Sequence, residues 1–198
     1  PEEEFGAVES AEHFRANKEN VIYFLLSSKL RLVRRGIVRP KTITHMTTDK
    51  TNTVRLHRVL RAKPDRVYRA FLDPDAMVKW LPPHGFTAKI HHLDAKVGGT
   101  YKMSFTNFST GKSHSFGGKY LELKPNELLR YTDRFDDTNL PGEMITTVQL
   151  KEVFCGTEVN ITQEGIPAMI PAEACYLGWQ ESLTLLTQLV EPEIPDHG

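Results

Sequence analysis

Residues 63–86, KPDRVYRAFLDPDAMVKWLPPHGF, decide how this chain is read. Pro64 suits the first position of a helix, where its missing N–H is no loss. Val67, Tyr68, Phe71 and Leu72 then recur at one-face helical spacing. Asp73-Pro74 ends that helix, Asp75 can open a second over 76–81, and Pro82-Pro83 closes it. Helices this short do not stand alone in water. Met77, Trp80 and Leu81 nevertheless add more apolar surface to them, so the pair is expected to plug something concave. Tyr68, Phe71 and Leu72 would anchor the plug, with Trp80 and Leu81 near its mouth.

What the plug closes is legible on either side. VRLHRVLR, residues 54–61, alternates apolar and polar residues as a strand does. Downstream, six further strands are expected over 86–93, 100–108, 114–123, 127–135, 143–153 and 157–163. Turn-like VGG, STGKS, KPNE, DDTNLPG and CGT separate them. Pro171 opens a long helix over 172–190, and Pro192 ends it. Consecutive strands with short turns make an antiparallel meander. One long amphipathic helix laid on its curved face gives an α+β domain. The helix stripe Tyr176, Trp179, Leu183, Leu186 and Val190 would meet Tyr101, Met103, Phe105, Val148, Leu150, Val159 and Ile161 from the strands. Between them lies either a filled core or a ligand cavity.

Bulk composition excludes several classes. The chain has 198 residues with 25 basic against 25 acidic side chains, which argues against a nucleic-acid surface built on net positive charge. Hydrophobic residues make up 39%, too many for a disordered chain. The longest apolar run, VIYFLL at 21–26, is far too short to span a bilayer and is preceded by acidic residues, unlike a signal peptide. A soluble cytoplasmic protein, monomer or homodimer, is expected. Cys155 and Cys175 have no metal-ligand spacing and are expected as reduced thiols. Residues 1–45 run from acidic to basic without strand alternation. They are expected to be an extension, either non-native or carrying a short helix around 13–34. The domain proper is expected over 46–198.

Four stretches together resemble a known family: RAKPDRVYRAFLDPDAMVKWLPP (61–83), VGGTYKMSF (97–105), HSFGGKYLELKPNELLRYTDRF (114–135) and YLGWQESLTLLTQLVE (176–191). In this order they are similar to the Hsp90 ATPase activator homologue family of the START-like (SRPBCC, Bet v 1-like) superfamily. The resemblance covers residues 54–191. It implies the helix-grip fold, a seven-stranded antiparallel sheet wrapped around a long C-terminal helix with two short helices closing one end. Because one fold hosts many functions, the resemblance leaves three open. They are binding of a small hydrophobic or amphipathic ligand, regulation of an Hsp90-type chaperone, and cyclase- or hydratase-like catalysis. The first 45 residues are too few for the separate domain through which the namesake stimulates its chaperone.

No residues form a recognisable catalytic constellation, so no catalytic residue, cofactor or metal is assigned. Gly98-Gly99 and Gly117-Gly118 read as turn or bulge residues at strand edges. His91 and His92, adjacent in a strand, would point to opposite faces and cannot share a metal. The expected groove lining is Phe71, Trp80, Met103, Phe105, Arg130, Tyr176 and Trp179, with plain core packing the alternative for each. Arg130, Tyr131, Asp133, Arg134, Gln163 and Glu164 are the polar candidates, most of them expected on the solvated face. Were the protein an enzyme, Arg130, Asp133 or Glu164 would be expected to act.

Overall fold

The protein is described by a computed structural model over residues 52–195. The extension expected at 1–45 lies outside the described residues. Seven strands follow one another as a single antiparallel sheet: β1 (Val54–Leu60), β2 (Phe86–Leu93), β3 (Thr100–Asn107), β4 (Ser113–Lys124), β5 (Leu128–Phe135), β6 (Met144–Val153) and β7 (Gly156–Glu164). Their spatial order is β1-β7-β6-β5-β4-β3-β2. Thus every neighbour in sequence from β2 to β7 is a neighbour in space, and β1 closes the far edge on β7. Helices α1 (Pro64–Ala70) and α2 (Pro74–Trp80) join β1 to β2, and α3 (Ala172–Val190) follows β7. This is the expected α+β arrangement.

The plug forms as its sequence dictates, with two differences. Asp73, rather than Asp75, caps α2: its Oδ1 accepts from the Asp75 and Ala76 amides at 2.9 and 3.1 Å. The helix therefore starts at Pro74, because Asp73 is the last residue still extended and Pro74 accepts the first helical position. Trp80 is completely buried, packed edge-on against Phe71 at 4.7 Å between ring centroids. Its indole Nε1 donates to the Ala70 carbonyl at 2.8 Å, satisfying the polar handle inside the plug. Trp80 and Phe71 thus hold α1 to α2 and do not line a mouth.

The C-terminal half of α3 is locked onto this plug. Leu183, Leu186 and Val190 are at most 1% exposed, and the Ser182 hydroxyl donates to the Leu81 carbonyl at 2.7 Å. Arg58 on β1 donates to Gln180 at 2.9 Å, and the Arg61 amide donates to Glu191 at 3.0 Å. One end of the curled sheet is therefore solid.

The other end is shaped by an irregularity in β4. Gly117 and Gly118 lie inside the strand rather than at its edge, just before a register shift between Tyr120 and Glu122. A Cβ on Gly118 would sit 1.9 Å from the Thr132 carbonyl oxygen of β5. That carbonyl fills the space a side chain would need, and the Tyr101 hydroxyl donates to it across β4 at 2.9 Å. Gly118→Ala is expected to lower the unfolding free energy by about 3 kcal/mol, since backbone rather than a flexible side chain must yield. In contrast, Gly178→Ala in α3, whose Cβ would meet nothing within 4 Å, is expected to stabilise by about 0.5–1 kcal/mol. Urea unfolding of the two variants checks both signs.

Candidate functional site

Strand alternation sorts the concave face into rows that run across the sheet. Leu129, Val148, Ile161 and Leu56 are in register on β5, β6, β7 and β1, and all are buried. This apolar row continues the solid end. About 7 Å further along the strands comes a row of different chemistry: Tyr120, Tyr131, Thr146 and Gln163, each registered on the next. Beyond it lie Asp133 opposite Met144, then Phe135 opposite Phe116. The groove therefore passes from aliphatic floor through a polar band to an aromatic end.

Two aromatic clusters wall it. Tyr101, Tyr120 and Tyr131 pack with centroids 5.7–6.1 Å apart. Phe116 stands edge-on to Phe105 at 4.8 Å and to Phe135 at 6.1 Å. In this apolar setting the tyrosines are hard to ionise: burial pushes Tyr120 up to about 12 and raises Tyr101 and Tyr131 as well. They are neutral donors at any ordinary pH.

Asp133 is the anomaly of the site. It is unpaired with β4 between the Arg134–Gly117 and Tyr131–Tyr120 partners, just ahead of the register shift between Tyr120 and Glu122. The residue is half-buried overall, but its carboxyl oxygen Oδ1 is sealed from solvent and has no hydrogen-bond partner. Burial lifts the carboxyl from 3.8 to about 7, opposed only in part by the nearby Tyr101 hydroxyl and the Arg134 amide. The single Tyr101 proton is directed at the Thr132 carbonyl, so Asp133 is left short of a donor. Among the described residues no Lys, Arg or His forms an ion pair with it.

A second polar atom is equally unmet. Thr146 Oγ1, on a residue 1% exposed, has no hydrogen bond of proper geometry, although it lies close enough to the Tyr131 hydroxyl to ease its ionisation slightly. Next to it, Gln163 accepts from the Trp179 indole at 3.0 Å, while its own amide nitrogen finds only the Met144 sulfur at 3.7 Å. Thioether sulfur is a weak acceptor. Asp133, Thr146 and Gln163 thus all turn under-used polar atoms toward the same stretch of groove.

The helix above this stretch is loosely fitted. Ala174 and Ser182 on α3 are buried at 1% and 4%, and Gly178 lies between them on the same i, i+4 row. Its position nevertheless faces open space, with no atom within 4 Å of where a Cβ would be. Trp179 and Gly178 are both half-buried.

The expected lining residues divide accordingly. Met103 and Phe105 are on the concave face and buried, and Trp179 borders the polar band through Gln163. Phe71 and Trp80 belong to the plug. Arg130 is exposed on the outer face, because it has the opposite strand parity to Leu129, Tyr131 and Asp133. Tyr176, 43% exposed, lies at the surface, since the buried stripe of α3 runs through Ala174 and Gly178 instead. Arg134 and Glu164 also face outward. Thr146 was not anticipated, though it shares the parity of Val148, which was. His91 sits in a β2 bulge and bonds Ser104 at 2.9 Å rather than facing away from His92 in a regular strand. Both cysteines are free, and burial pushes the Cys175 thiol up to about 12. Among the described residues no three His, Cys, Asp or Glu side chains converge to hold a metal, and no helix is long and apolar enough to cross a membrane.

Fold and groove together define a helix-grip α+β domain. The family model for Activator of Hsp90 ATPase homolog 1-like protein matches residues 61–191, and the chain belongs to that family. It is similar to the crystal structure of protein CV1439 from Chromobacterium violaceum, with 63% identity over 72% of this chain and 99% of that one, and a TM-score of 0.71. Two further structures share the fold alone. Protein NE0264 from Nitrosomonas europaea is 19% identical over 69% of this chain and 92% of that one, with a TM-score of 0.58. A Staphylococcus epidermidis protein solved by NMR is 20% identical over 77% and 99%, with a TM-score of 0.60. No curated protein matches the chain.

The position of Asp133 carries a stability prediction. Its carboxyl holds a proton more tightly folded, near pH 7, than at its ordinary value of 3.8. It therefore favours the native state fully below about pH 4, and that contribution is lost as pH rises through 7. Asp133→Asn is expected to be about 2–4 kcal/mol more stable than the native protein at pH 8. The gap should close toward pH 4, as read from urea midpoints across pH.

Proposed function

We propose that the protein is a binding module that holds a small amphipathic molecule between the N-terminal half of α3 and the sheet. The observation that carries this reading is the pair of buried, unpaired polar atoms, Asp133 Oδ1 and Thr146 Oγ1, on an otherwise aromatic concave face. A buried polar group without a partner costs about 1–3 kcal/mol, and a ligand would supply the missing bonds. No atom lies within 4 Å of a Cβ at Gly178, which leaves room beside the helix for such a molecule. Ligand pockets of this type are mostly apolar, with a few placed polar groups.

Proton-transfer catalysis is a second reading with one observation in its favour. A carboxyl raised to about 7 can give or take a proton near neutral pH, and of the three expected catalytic candidates only Asp133 faces the groove. Regulation of an Hsp90-type chaperone draws no support from the geometry of the described residues.

Filling the space tests the binding reading. Nile red, a neutral apolar dye, is expected to bind with a blue-shifted emission. At a hundredfold excess over its Kd it should stabilise the protein by about 2.7 kcal/mol, a rise in Tm of roughly 5–11 °C. Gly178→Leu, which places a side chain in the space, should keep the native circular dichroism and abolish the dye signal. A native protein that shows neither emission change nor Tm shift overturns the reading.

A further inference from the structure

We infer that the groove is built for a cationic ligand, an organic amine on an apolar ring body, whose ammonium group pairs with Asp133 while its body lies among Phe105, Phe116, Phe135 and Trp179. This inference rests on the binding reading above and names the class of its ligand. Three observations point to a cation rather than to any polar molecule.

The charge balance comes first. Asp133 is a carboxyl whose Oδ1 is sealed from solvent, and no basic side chain among the described residues forms an ion pair with it. An isolated buried carboxylate is expensive unless a positive partner is supplied. The donor count is the second observation. Around Asp133 the Tyr101 hydroxyl is directed chiefly at the Thr132 carbonyl and the Trp179 indole at Gln163, and Oδ1 receives no donor. What remains unmet in the polar band is the Asp133 Oδ1 acceptor and the Thr146 hydroxyl, which can accept as well as donate, while the Gln163 amide nitrogen is held only weakly by the Met144 sulfur. A ligand rich in donors fits this set, and an ammonium offers three and accepts none. The third is the wall. Tyr101, Tyr120 and Tyr131 surround the carboxyl with aromatic surface, which favours a nearby cation over a neutral head.

Ion pairing also dictates how binding must depend on pH. The groups around Asp133 are Tyr101 from β3, Tyr131 from its own strand and Met144 opposite it on β6, with Tyr120 from β4, Thr146 from β6, Gln163 from β7 and Trp179 from α3 in the adjoining polar band. The tyrosines are all held above their ordinary value of 10.0, and Cys175 on α3 is near 12, so none of these titrates between pH 5.5 and 8. His114, nearer the aromatic end of β4, lies below its usual 6.5 and is the one other group to control for. Since the free Asp133 carboxyl changes state near 7, amine binding should weaken about tenfold or more from pH 8 to pH 5.5.

The experiment compares 2-(2-naphthyl)ethylamine with 2-(2-naphthyl)ethanol by calorimetry on the native protein, Asp133→Asn and Thr146→Val. Nile red binding is measured in parallel. The amine is expected to bind at least tenfold tighter than the alcohol at pH 8, to lose that preference in Asp133→Asn, and to weaken in Thr146→Val. Equal affinity for amine and alcohol overturns the inference. So does a pH dependence that survives in Asp133→Asn, which would place the titration on His114. Nile red binding without amine binding overturns the inference and leaves the binding reading standing. Failure of all three probes on folded protein overturns both.

Discussion

A single helix has to cover seven strands. Six interstrand spacings of about 4.8 Å make the sheet roughly 29 Å across, whereas a helix with its side chains is about 10–12 Å wide. The sheet must curl around α3, and even then nineteen helical residues cannot seal the whole concave face. The molecule solves this at one end by adding α1 and α2. Trp80, Phe71, Leu183 and Leu186 fill that end completely. At the other end, toward the first turns of α3, aromatic side chains on β3, β4 and β5 provide the cover instead. A groove follows from this mismatch of widths, and what distinguishes this chain is the chemistry placed in it.

That chemistry is tied to the curvature. Curling β4 sharply requires a pinch against its neighbours, and glycine is the residue that permits one. At Gly117-Gly118 the backbone of β5 moves into the vacated space and the ladder skips Thr132 and Asp133. Side chains take over the hydrogen bonds the ladder gives up: Tyr101 serves the Thr132 carbonyl, and Thr132 Oγ1 accepts from the Lys119 amide at 3.2 Å. Asp133 Oδ1 is left over. The same local distortion that bends the sheet thus also positions a carboxyl in an apolar setting with one oxygen unmet.

The element order was legible because each signal in it is local. Proline and glycine punctuate the chain between segments of clear period, and the strand and helix bounds follow within a residue or two. The site was legible only where it obeys strict alternation: Met103 and Phe105 fall on the inward parity of β3. Arg130 was mistaken for a groove residue on the strength of its charge, although its parity with exposed Arg134 argues the opposite. Asp133 shares the parity of Leu129 and Tyr131, but nothing in the sequence alone says that the pinch in the neighbouring strand β4 leaves its Oδ1 without a donor. The helix stripe holds through Leu183, Leu186 and Val190 and departs only at Tyr176. Spacings of three and four permit two adjacent stripes on α3, and only tertiary packing chose Ala174-Gly178-Ser182 over Tyr176 for the first two turns. Such a choice depends on the curvature of the sheet beneath, which no local pattern encodes.

Consistency between levels separates the solid end of this domain from the open one. At the solid end period, burial and hydrogen bonding agree: apolar positions are buried and the polar handles of Trp80 and Ser182 are satisfied within 3 Å. At the open end they disagree in one compact region, where inward parity falls on Asp133, Thr146 and Gln163 and a glycine faces empty space. An apolar side chain at Asp133 would relieve the desolvation that its carboxyl suffers, and valine at Thr146 would match its shape without the unmet hydroxyl. A domain is stable by only about 5–15 kcal/mol, so two such groups in one groove are a sizeable concession. Places where a chain departs from its own folding rules tend to be its functional sites. The departure here is confined to the stretch of groove where a third component, one with donors and a positive charge, would restore the balance.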